Sequence, residues 1–361
     1  MAYTTIDDPT LYFSSTIWTG NGVDDRAIVI DGTGMQPDFV WIKSRNDTDN
    51  HRLVDSVRGA TKHIESDNTS AEQTSSNVKT FTSTGVTLST NGAVNANTEL
   101  YASWSWKAGT SFTNDASATG IGTIDSTGST NTTSEFSIIT YTGTGSNGTV
   151  AHGLGVAPSM IIVKSRGNVD SWYVYHQGIG NTGAIFLDEL SVTSTGSDYW
   201  QNTTPTSSVF SIGTGNAVNR SSGTFVAYCF AEKQGYSKFG SYTGNGSTDG
   251  TFIYTGFKPA FFMAKKTSGT GAWTIHDNKR NVDNPIGKAL FANSNEVEYN
   301  YSGDDTPIVD FVSNGAKYRG TASGMNTSGA TYIYMAFAEN PFVTSTGVPA
   351  TARWLCSYLL T

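Results

Sequence analysis

The sequence contains little charge and no long apolar run. Charged residues make up 14% of the chain, whereas an average soluble domain has about 25%. The formal net charge of −8 disfavours binding to nucleic acid, because contacts with phosphates need clusters of Lys and Arg. No stretch approaches the roughly 18 consecutive apolar residues of a membrane-spanning helix. We therefore expect a protein that neither binds nucleic acid nor inserts into a membrane.

Cysteines and secretion signals are equally sparse. Cys229 and Cys356 are the two cysteines, too few for the disulfide framework of a small secreted domain. Cys229 lies in an apolar run and is predicted to be a small buried residue. A disulfide with Cys356 is the alternative, because nothing in the sequence fixes the distance between the two. The N-terminus has no Sec-type signal pattern, so we expect synthesis in a cytoplasm and release by lysis.

The helix-favouring residues Leu, Lys and Glu are also scarce, whereas Ser and Thr are abundant, Gly occurs 39 times and aromatics reach 12%. β-branched and aromatic residues favour strands, and Gly favours tight turns. The composition therefore predicts a β-rich fold with many turns. The aromatic content argues against general disorder.

One motif occurs three times, at residues 34–43, 155–164 and 256–265. Each copy has Gly, two residues, Pro, one residue, four mostly apolar residues and Lys. Pro cannot donate a hydrogen bond to a sheet, so the proline is expected at the first residue of a strand. The apolar run does not alternate, which predicts a strand covered on both faces.

Two further segments recur in the same order around this motif. An opening strand and turn precede it, at residues 17–22, 139–145 and 241–246, and an apolar strand closes each unit, at residues 100–107, 224–232 and 332–341. The spacing of about 100 residues is the size of a domain. We predict an all-β protein of three tandem β-sandwich-like (jelly-roll-like) domains from an internal repeat. The predicted parts are an N-terminal arm (1–11), a first domain (12–109), a Ser/Thr/Gly-rich linker (110–135), a second domain (136–235), a third domain (236–342) and a C-terminal tail (343–361).

The repeated lysines Lys43, Lys164 and Lys265 are candidate binding residues. They would contact an anion, a glycan or a neighbouring subunit, with Arg45, Arg166 and Lys266 nearby. The alternative interpretation is structural: each charge marks the point at which a buried strand leaves the core.

A second candidate is an aromatic ring followed by an imidazole. Trp172 with His176, and Trp273 with His276, lie at corresponding places after the repeated motif. Sugar-binding clefts are often built from such groups, because a pyranose has an apolar face and polar edges. The first unit has His51 and no Trp there. The alternative is a core Trp beside a hydrogen-bonded His.

Metal, cofactor and catalytic sites are not predicted. The acidic turns 303–305, 24–25 and 247–250 could bind Ca²⁺, but solvated turn residues are the default and no EF-hand spacing occurs. Asp188 and Glu189 would point to opposite faces of a strand. Glu296 and Glu298 would share a face, which we expect to be solvated. No nucleophile elbow, phosphate-binding loop or dinucleotide fingerprint is present.

Several of these segments resemble bacteriophage structural proteins. Residues 152–158, running into 160–164, resemble a motif common in phage tail-fibre and appendage proteins. In the first unit, four segments together resemble an uncharacterised domain frequent in structural proteins of marine phages: 18–22, 36–45, 51–59 and 101–109. The resemblance covers most of the first unit and, more loosely, the other two, which lack its Asp-Ser-Val-Arg-Gly run (55–59).

The resemblance implies a non-catalytic virion protein without a cofactor. It would be a tail fibre or similar appendage that binds a glycan or receptor on the host surface. Other virion proteins would be its partners, and a homo-oligomer is expected, with a trimer favoured. A capsid decoration or head-fibre protein is the first alternative, and a polysaccharide depolymerase the second. The apolar C-terminal stretch 343–361 is predicted to pack against a partner subunit.

Overall fold

A computed structural model describes residues 2–31, 34–302 and 306–350. Strands account for 42% of the residues and helices for 6%. The predicted all-β class with sandwich-like domains is therefore confirmed. Each of the three predicted units contains a large antiparallel sheet and a smaller one.

The first unit follows a short 3-10 turn at Pro9–Leu11. Its large sheet has the strand order β1-β9-β3-β4-β5-β6 and its small sheet the order β2-β8-β7. The elements are β1 (Phe13–Thr19), β2 (Arg26–Val29), β3 (Phe39–Ser44), β4 (Arg52–Asp55), β5 (Lys62–Ile64), β6 (Gln73–Thr74), β7 (Val78–Thr82), β8 (Gly85–Leu88), α1 (Gly92–Asn95) and β9 (Leu100–Trp106).

The second unit has two additional strands at one edge. Its large sheet has the order β10-β11-β12-β19-β14-β15-β16-β17, and β13 pairs with β18. The elements are β10 (Thr110–Asn114), α2 (Ala116–Thr119), β11 (Ser126–Asn131), β12 (Phe136–Thr142), β13 (Gly148–Ala151), β14 (Met160–Ser165), β15 (Tyr173–His176), β16 (Gly183–Phe186), β17 (Ser194–Thr195), α3 (Ser197–Trp200), β18 (Val209–Ile212), α4 (Asn216–Asn219) and β19 (Thr224–Phe230).

The third unit returns to the arrangement of the first. Its large sheet has the order β20-β28-β22-β23-β24-β25 and its small sheet the order β21-β27-β26. The elements are β20 (Ser237–Thr243), β21 (Phe252–Tyr254), β22 (Phe257–Lys266), β23 (Trp273–Asp277), β24 (Lys288–Phe291), β25 (Tyr299–Asn300), β26 (Val309–Val312), β27 (Gly315–Tyr318) and β28 (Thr331–Pro341).

The predicted motif strands are β3, β14 and β22, and each lies inside its large sheet. Pro37 and Pro158 are buried just before their strands, whereas Pro259 lies within β22 at a shift in register. A proline is tolerated there because the ladder is already interrupted. Strand order and register match between the three large sheets, so positions in the three units can be compared directly. Their origin in one duplicated domain stays a prediction.

The motif strands are apolar on both faces because each faces two cores. Val40 and Ile42 of β3 pack with Val86 between the two sheets of the first unit. Phe39 and Trp41, which point the other way, belong to a central core shared by all three units. Successive side chains of a motif strand point to opposite faces, and each face packs into a core. The sequence of the strand therefore shows no polar face.

The central core is rich in aromatic rings from different units. The ring of Trp106 lies 6.0 Å from that of Phe230 and 5.9 Å from that of Phe261, measured between centroids. Phe337 completes the cluster at 5.5 Å from Trp106. Each unit therefore has its own sandwich core, but the three also bury one core jointly.

The segment predicted as a linker is in fact part of the second unit. Strands β10 and β11 extend its large sheet from β12, and Ile124, between them, is buried and forms a bridge with Val150. Thr127 and Thr140 pair across the strands with their hydroxyl oxygens 3.1 Å apart. Backbone pairing and Thr–Thr contacts stabilise these strands without many apolar residues, which a compositional argument misses.

The predicted N-terminal arm is docked on the body. Ile6 is buried in the central core, and the Thr4 hydroxyl donates to the carbonyl of Gln234 over 2.8 Å. Ser345 donates its backbone N–H to Asp7, so both ends of the described chain meet near the third unit. Residues 351–361 of the predicted tail, with Cys356, lie outside the described residues.

Candidate functional site

The three candidate lysines are fully buried and bind backbone carbonyls. Lys43 donates to Asp47 O over 2.9 Å, within its own unit. Lys164 donates to Thr69 O of the first unit over 2.9 Å, and Lys265 to Glu189 O of the second over 3.0 Å. Burial lowers the pKa of each of the three ammonium groups to about 8. The structural interpretation fits this burial, and two of the lysines also join neighbouring units.

The candidate tryptophans are also interior. Trp172 donates its indole N–H to Glu65 O of the first unit over 2.9 Å, and Trp273 to Phe186 O of the second over 2.7 Å. His51, at the corresponding position, places Nε2 3.0 Å from Phe291 O of the third unit. The second unit thus binds the first, the third binds the second, and the first binds the third. The contacts close a ring.

The two candidate histidines do not occupy equivalent positions, contrary to the sequence-based expectation. His176 lies opposite Met160, whereas His276 lies opposite Phe262, one residue further along the motif. The two imidazoles therefore point to opposite faces of their sheets. His176 accepts the N–H of Gly178 at Nδ1 and lies 3.0 Å from Tyr334 O through Nε2.

Both histidines are buried, and burial lowers the pKa of His176 to about 4 and that of His276 to about 3. None of the seven candidate side chains is exposed to solvent: Lys43, Lys164, Lys265, Trp172, His176, Trp273 and His276. A ligand in solution cannot reach them in this conformation, so a surface that binds such a ligand would lie elsewhere on the protein.

A buried ionic network joins the first and second units. The Tyr228 hydroxyl donates to Asp55 over 2.8 Å, and Arg58 donates its Nε–H to the same carboxylate over 2.5 Å. Arg58 also reaches Glu72, 3.2 Å away, and Glu72 accepts two bonds from Arg166 at 2.9 and 3.0 Å. Although burial opposes it, hydrogen bonding to Arg166 and the charge of Arg58 hold the pKa of Glu72 below its usual value.

The same network joins the third and first units. Trp104 donates to Asp277 over 3.0 Å, and Arg280 to the same carboxylate over 2.5 Å. Arg280 lies 3.3 Å from Glu298, which accepts two bonds of 2.9 Å from Arg45. Burial tends to raise the pKa of Asp277, but the charge and hydrogen bonds of Arg280 keep it below its ordinary value. Glu298 is thus an internal ion-pair partner and lies on no solvated face, contrary to expectation.

The junction between the second and third units lacks this network. At the positions that register and strand order match, the second unit carries His176, Ile179 and Thr193, and the third carries Thr267 and Met335. None of the five forms an ion pair in the described part of the chain. Uncharged residues thus occupy all the matched positions of this junction. This is expected because a single buried charge without a partner would lower the stability of the fold.

An Asp-x-x-Arg spacing was the signal for these networks. The third unit lacks the full Asp-Ser-Val-Arg-Gly run that the first has at 55–59. Asp277 and Arg280 keep its two ion-pairing residues at the same spacing. Their distant partners, such as Tyr228 for Asp55, follow no local pattern.

The acidic turns considered for Ca²⁺ are partly neutralised. Asp24 and Asp25 both lie within 3 Å of the Lys79 ammonium, at 2.8 and 2.6 Å. Asp249 lies 2.7 Å from the ammonium of Lys317. The third turn, 303–305, lies outside the described residues. Across residues 2–31, 34–302 and 306–350, no group of three or more His, Cys, Asp or Glu could hold a metal ion, and no helix is long and apolar enough to cross a membrane.

Two surfaces of the described chain present accessible polar or aromatic groups. A groove of about 240 Å³ beside the first–second junction is lined mainly by threonine hydroxyls and by Arg166, which is already paired with Glu72. The small sheet of the third unit carries two exposed aromatic rings, Phe252 and Tyr254. These surfaces can bind a ligand through hydroxyls and rings.

The chain belongs to the family described as the domain of unknown function DUF7483, whose match covers residues 8–341. One match thus runs through all three units. No curated protein matches the chain.

Proposed function

We propose that this member of the DUF7483 family is a structural protein of a bacteriophage particle. It serves as a tail fibre or similar appendage and binds the host surface without catalysis. The observation that carries the proposal is the closed ring of contacts, in which Trp172, Trp273 and His51 each bind the carbonyl of a neighbouring unit. The resemblance of the repeated motifs to phage appendage proteins supports the same assignment.

The closed ring of contacts gives the buried candidate residues a structural role. Arg58 and Arg280 form buried ion pairs within the networks that join the units. These charged groups are therefore not free to form a reactive or ligand-binding centre. Buried networks with every partner satisfied rigidify a fold. A single chain thereby holds three units in a closed ring, an arrangement that a cyclic homotrimer obtains from three chains. The expected homo-oligomer, with a trimer favoured, stays a prediction.

The surface supports a binding role. Its turns are rich in Ser, Thr, Gly and Asn, and the net charge of −8 disfavours polyanionic partners. Binding residues commonly lie on loops and sheet edges that a rigid scaffold holds in place. The threonine groove and the exposed rings of Phe252 and Tyr254 are surfaces of this type.

The test is adsorption to the host. Purified protein added to host cells before infection should reduce adsorption of the phage that encodes it. Bovine serum albumin at the same concentration is the control. Antibody labelling of purified particles should mark the tail. Label over the head would favour capsid decoration instead, and shortening of purified host polysaccharide by the protein would favour a depolymerase.

A further inference from the structure

The outer face of the small sheet in the third unit carries a row of aromatic rings. Phe252 and Tyr254 are alternate residues of β21, so both point away from Ile253, which is buried in the sandwich core. Phe252 is 45% exposed and Tyr254 is 54% exposed. Tyr3 of the N-terminal arm extends the row, with its hydroxyl oxygen 3.5 Å from that of Tyr254.

The rings are held in place by small residues. A Cβ added to Gly315 would lie 2.9 and 3.0 Å from ring atoms of Phe252, so this ring lies over the glycine. At the other end of the row, the Tyr3 hydroxyl donates to Gly256 O over 2.7 Å. A Cβ on Gly256 would come within 2.7 Å of the Tyr3 oxygen. Part of the Phe252 ring is thus supported by the sheet, while the residue stays 45% exposed.

Two pairs of oppositely charged side chains border the aromatic rings. Lys317 pairs with Phe252 across the strands, and its ammonium lies 2.7 Å from a carboxylate oxygen of Asp249. Asp310, next to Lys317 on β26, accepts from Arg319. The Asp249 side chain is 84% exposed, so it can still accept hydrogen bonds from a ligand. Each charge in this border has a partner of opposite sign.

The row is not required by the fold. By strand register, Phe252 and Tyr254 correspond to Ala27 and Val29 in the first unit and to Thr149 and Ala151 in the second. In the second unit the chain covers this edge itself, because Thr123 and Ile124 donate their backbone N–H groups to Thr149 O over 2.9 and 3.1 Å. At the matching positions the third unit has the exposed rings of Phe252 and Tyr254.

We propose that this row, formed by Tyr3, Phe252 and Tyr254, binds a neutral oligosaccharide. The apolar faces of successive sugar rings stack on the aromatic rings, and sugar hydroxyls donate to Asp249 and accept from Lys317. The paired charges and the acidic chain favour an uncharged ligand over a uronate or phosphate polymer. The site rests on the proposed binding function and names its ligand class.

The test uses isothermal titration calorimetry of the full chain with maltohexaose, chitohexaose and mannohexaose. We expect at least one hexamer to bind. Phe252→Ala and Tyr254→Ala should each weaken its affinity about two- to tenfold, the range for one aromatic contact. Val29→Ala is the matched control, since Val29 occupies the position of Tyr254 in the first unit and is 59% exposed. It should leave affinity unchanged, and all three variants should keep the thermal midpoint of the parent.

The proposal is overturned if no hexamer binds, if both ring variants bind like the parent, or if polygalacturonate binds and the neutral sugars do not. Adsorption to host cells separates this from the proposed function. Adsorption of the parent to host cells, together with equal hexamer affinity in parent and ring variants, would refute the oligosaccharide site and leave the proposed function standing. Hexamer binding through the rings without any adsorption to host cells would do the reverse.

Discussion

Two of the three junctions between units carry an ionic network at the matched positions. The third, which we call the apolar junction because Ile179 stands where the others have a buried arginine, has no charged residue at those positions. Asp55, Arg58 and Glu72 form the network of one ionic junction. His176, Ile179 and Thr193 occupy the matched positions at the apolar one. Neighbouring units are thus joined in two different ways within one molecule. Because the central core is common to all three junctions, the ionic networks are not needed to bring two units together.

The difference suggests what the networks contribute. A buried ion pair costs desolvation that its attraction only partly offsets, whereas breaking one leaves an uncompensated charge. The ionic junctions should therefore tolerate single substitutions poorly and complete replacement well. Specific pairing between the correct units is the expected benefit, since a Glu facing Arg166 or Arg45 cannot be exchanged for Thr without leaving a cation unpaired.

The largest effect is expected for Arg58→Leu. The change leaves Asp55 buried with the Tyr228 hydroxyl but without its cation. The free energy of unfolding should fall by about 3–5 kcal/mol, measured by urea titration. Ile179→Leu at the matched apolar position is the control and should cost less than about 1.5 kcal/mol. Similar losses from both variants would contradict the division into ionic and apolar junctions.

The apolar junction should carry its own dependence on pH through His176. Its pKa is about 4 in the folded protein because it is buried, whereas an unfolded His titrates near about 6.5. Between these values the unfolded state binds more protons, so stability is lost as pH falls from about 6.5 towards 4. One histidine gives a slope of about 1.4 kcal/mol per pH unit at most.

His176→Gln should remove this part of the slope. Gln retains an N–H donor for the carbonyl of Tyr334, which His176 approaches at 3.0 Å. The difference in unfolding free energy between parent and variant, measured from pH 7 to 4.5, should therefore change steadily with pH. A constant difference would show that His176 does not stay neutral in the folded protein.

Replacing the ionic network of the first–second junction with the residues of the apolar junction should destabilise the protein less than removing Arg58 alone. The triple variant Asp55→His, Arg58→Ile, Glu72→Thr removes both buried carboxylates together with their arginine. Arg166 remains, but it is partly exposed and can be solvated by water. Unfolding free energy should stay within about 2 kcal/mol of the parent, which is above that of Arg58→Leu. A triple variant less stable than the single one would refute the comparison.

The sequence revealed those features that depend on neighbouring residues. The Pro-to-Lys spacing located β3, β14 and β22 because a strand covered on both faces is apolar throughout. It placed Lys164 and Lys265 at strand ends but could not show that their ammonium groups bind another unit. Contacts such as Tyr228 with Asp55 join residues 173 positions apart and depend on how the units pack, which no local pattern encodes.

Composition gave a wrong prediction for a segment that is stabilised by backbone hydrogen bonds more than by apolar burial. Residues 110–135 contain few large apolar side chains and are predicted as a linker, yet 110–114 and 126–131 form β10 and β11. Ile124 was the informative residue, since one apolar side chain in a polar segment is buried against Val150. The aromatic row of the third unit was likewise missed, because Phe252 and Tyr254 alternate over only three residues.

The smallest effect should come from adding an ionic contact to the apolar junction. Thr193 and Thr267 occupy the positions of Glu72 and Arg166, so Thr193→Glu with Thr267→Arg would recreate the outer ion pair. Ile179 supplies no second cation, and a partly exposed pair is worth about 0–1 kcal/mol. A double-mutant cycle isolates this coupling from the cost of each single change. A coupling above about 2 kcal/mol would mean that the outer pair alone stabilises the ionic junctions, and that Arg58 and Arg280 contribute less than their burial implies.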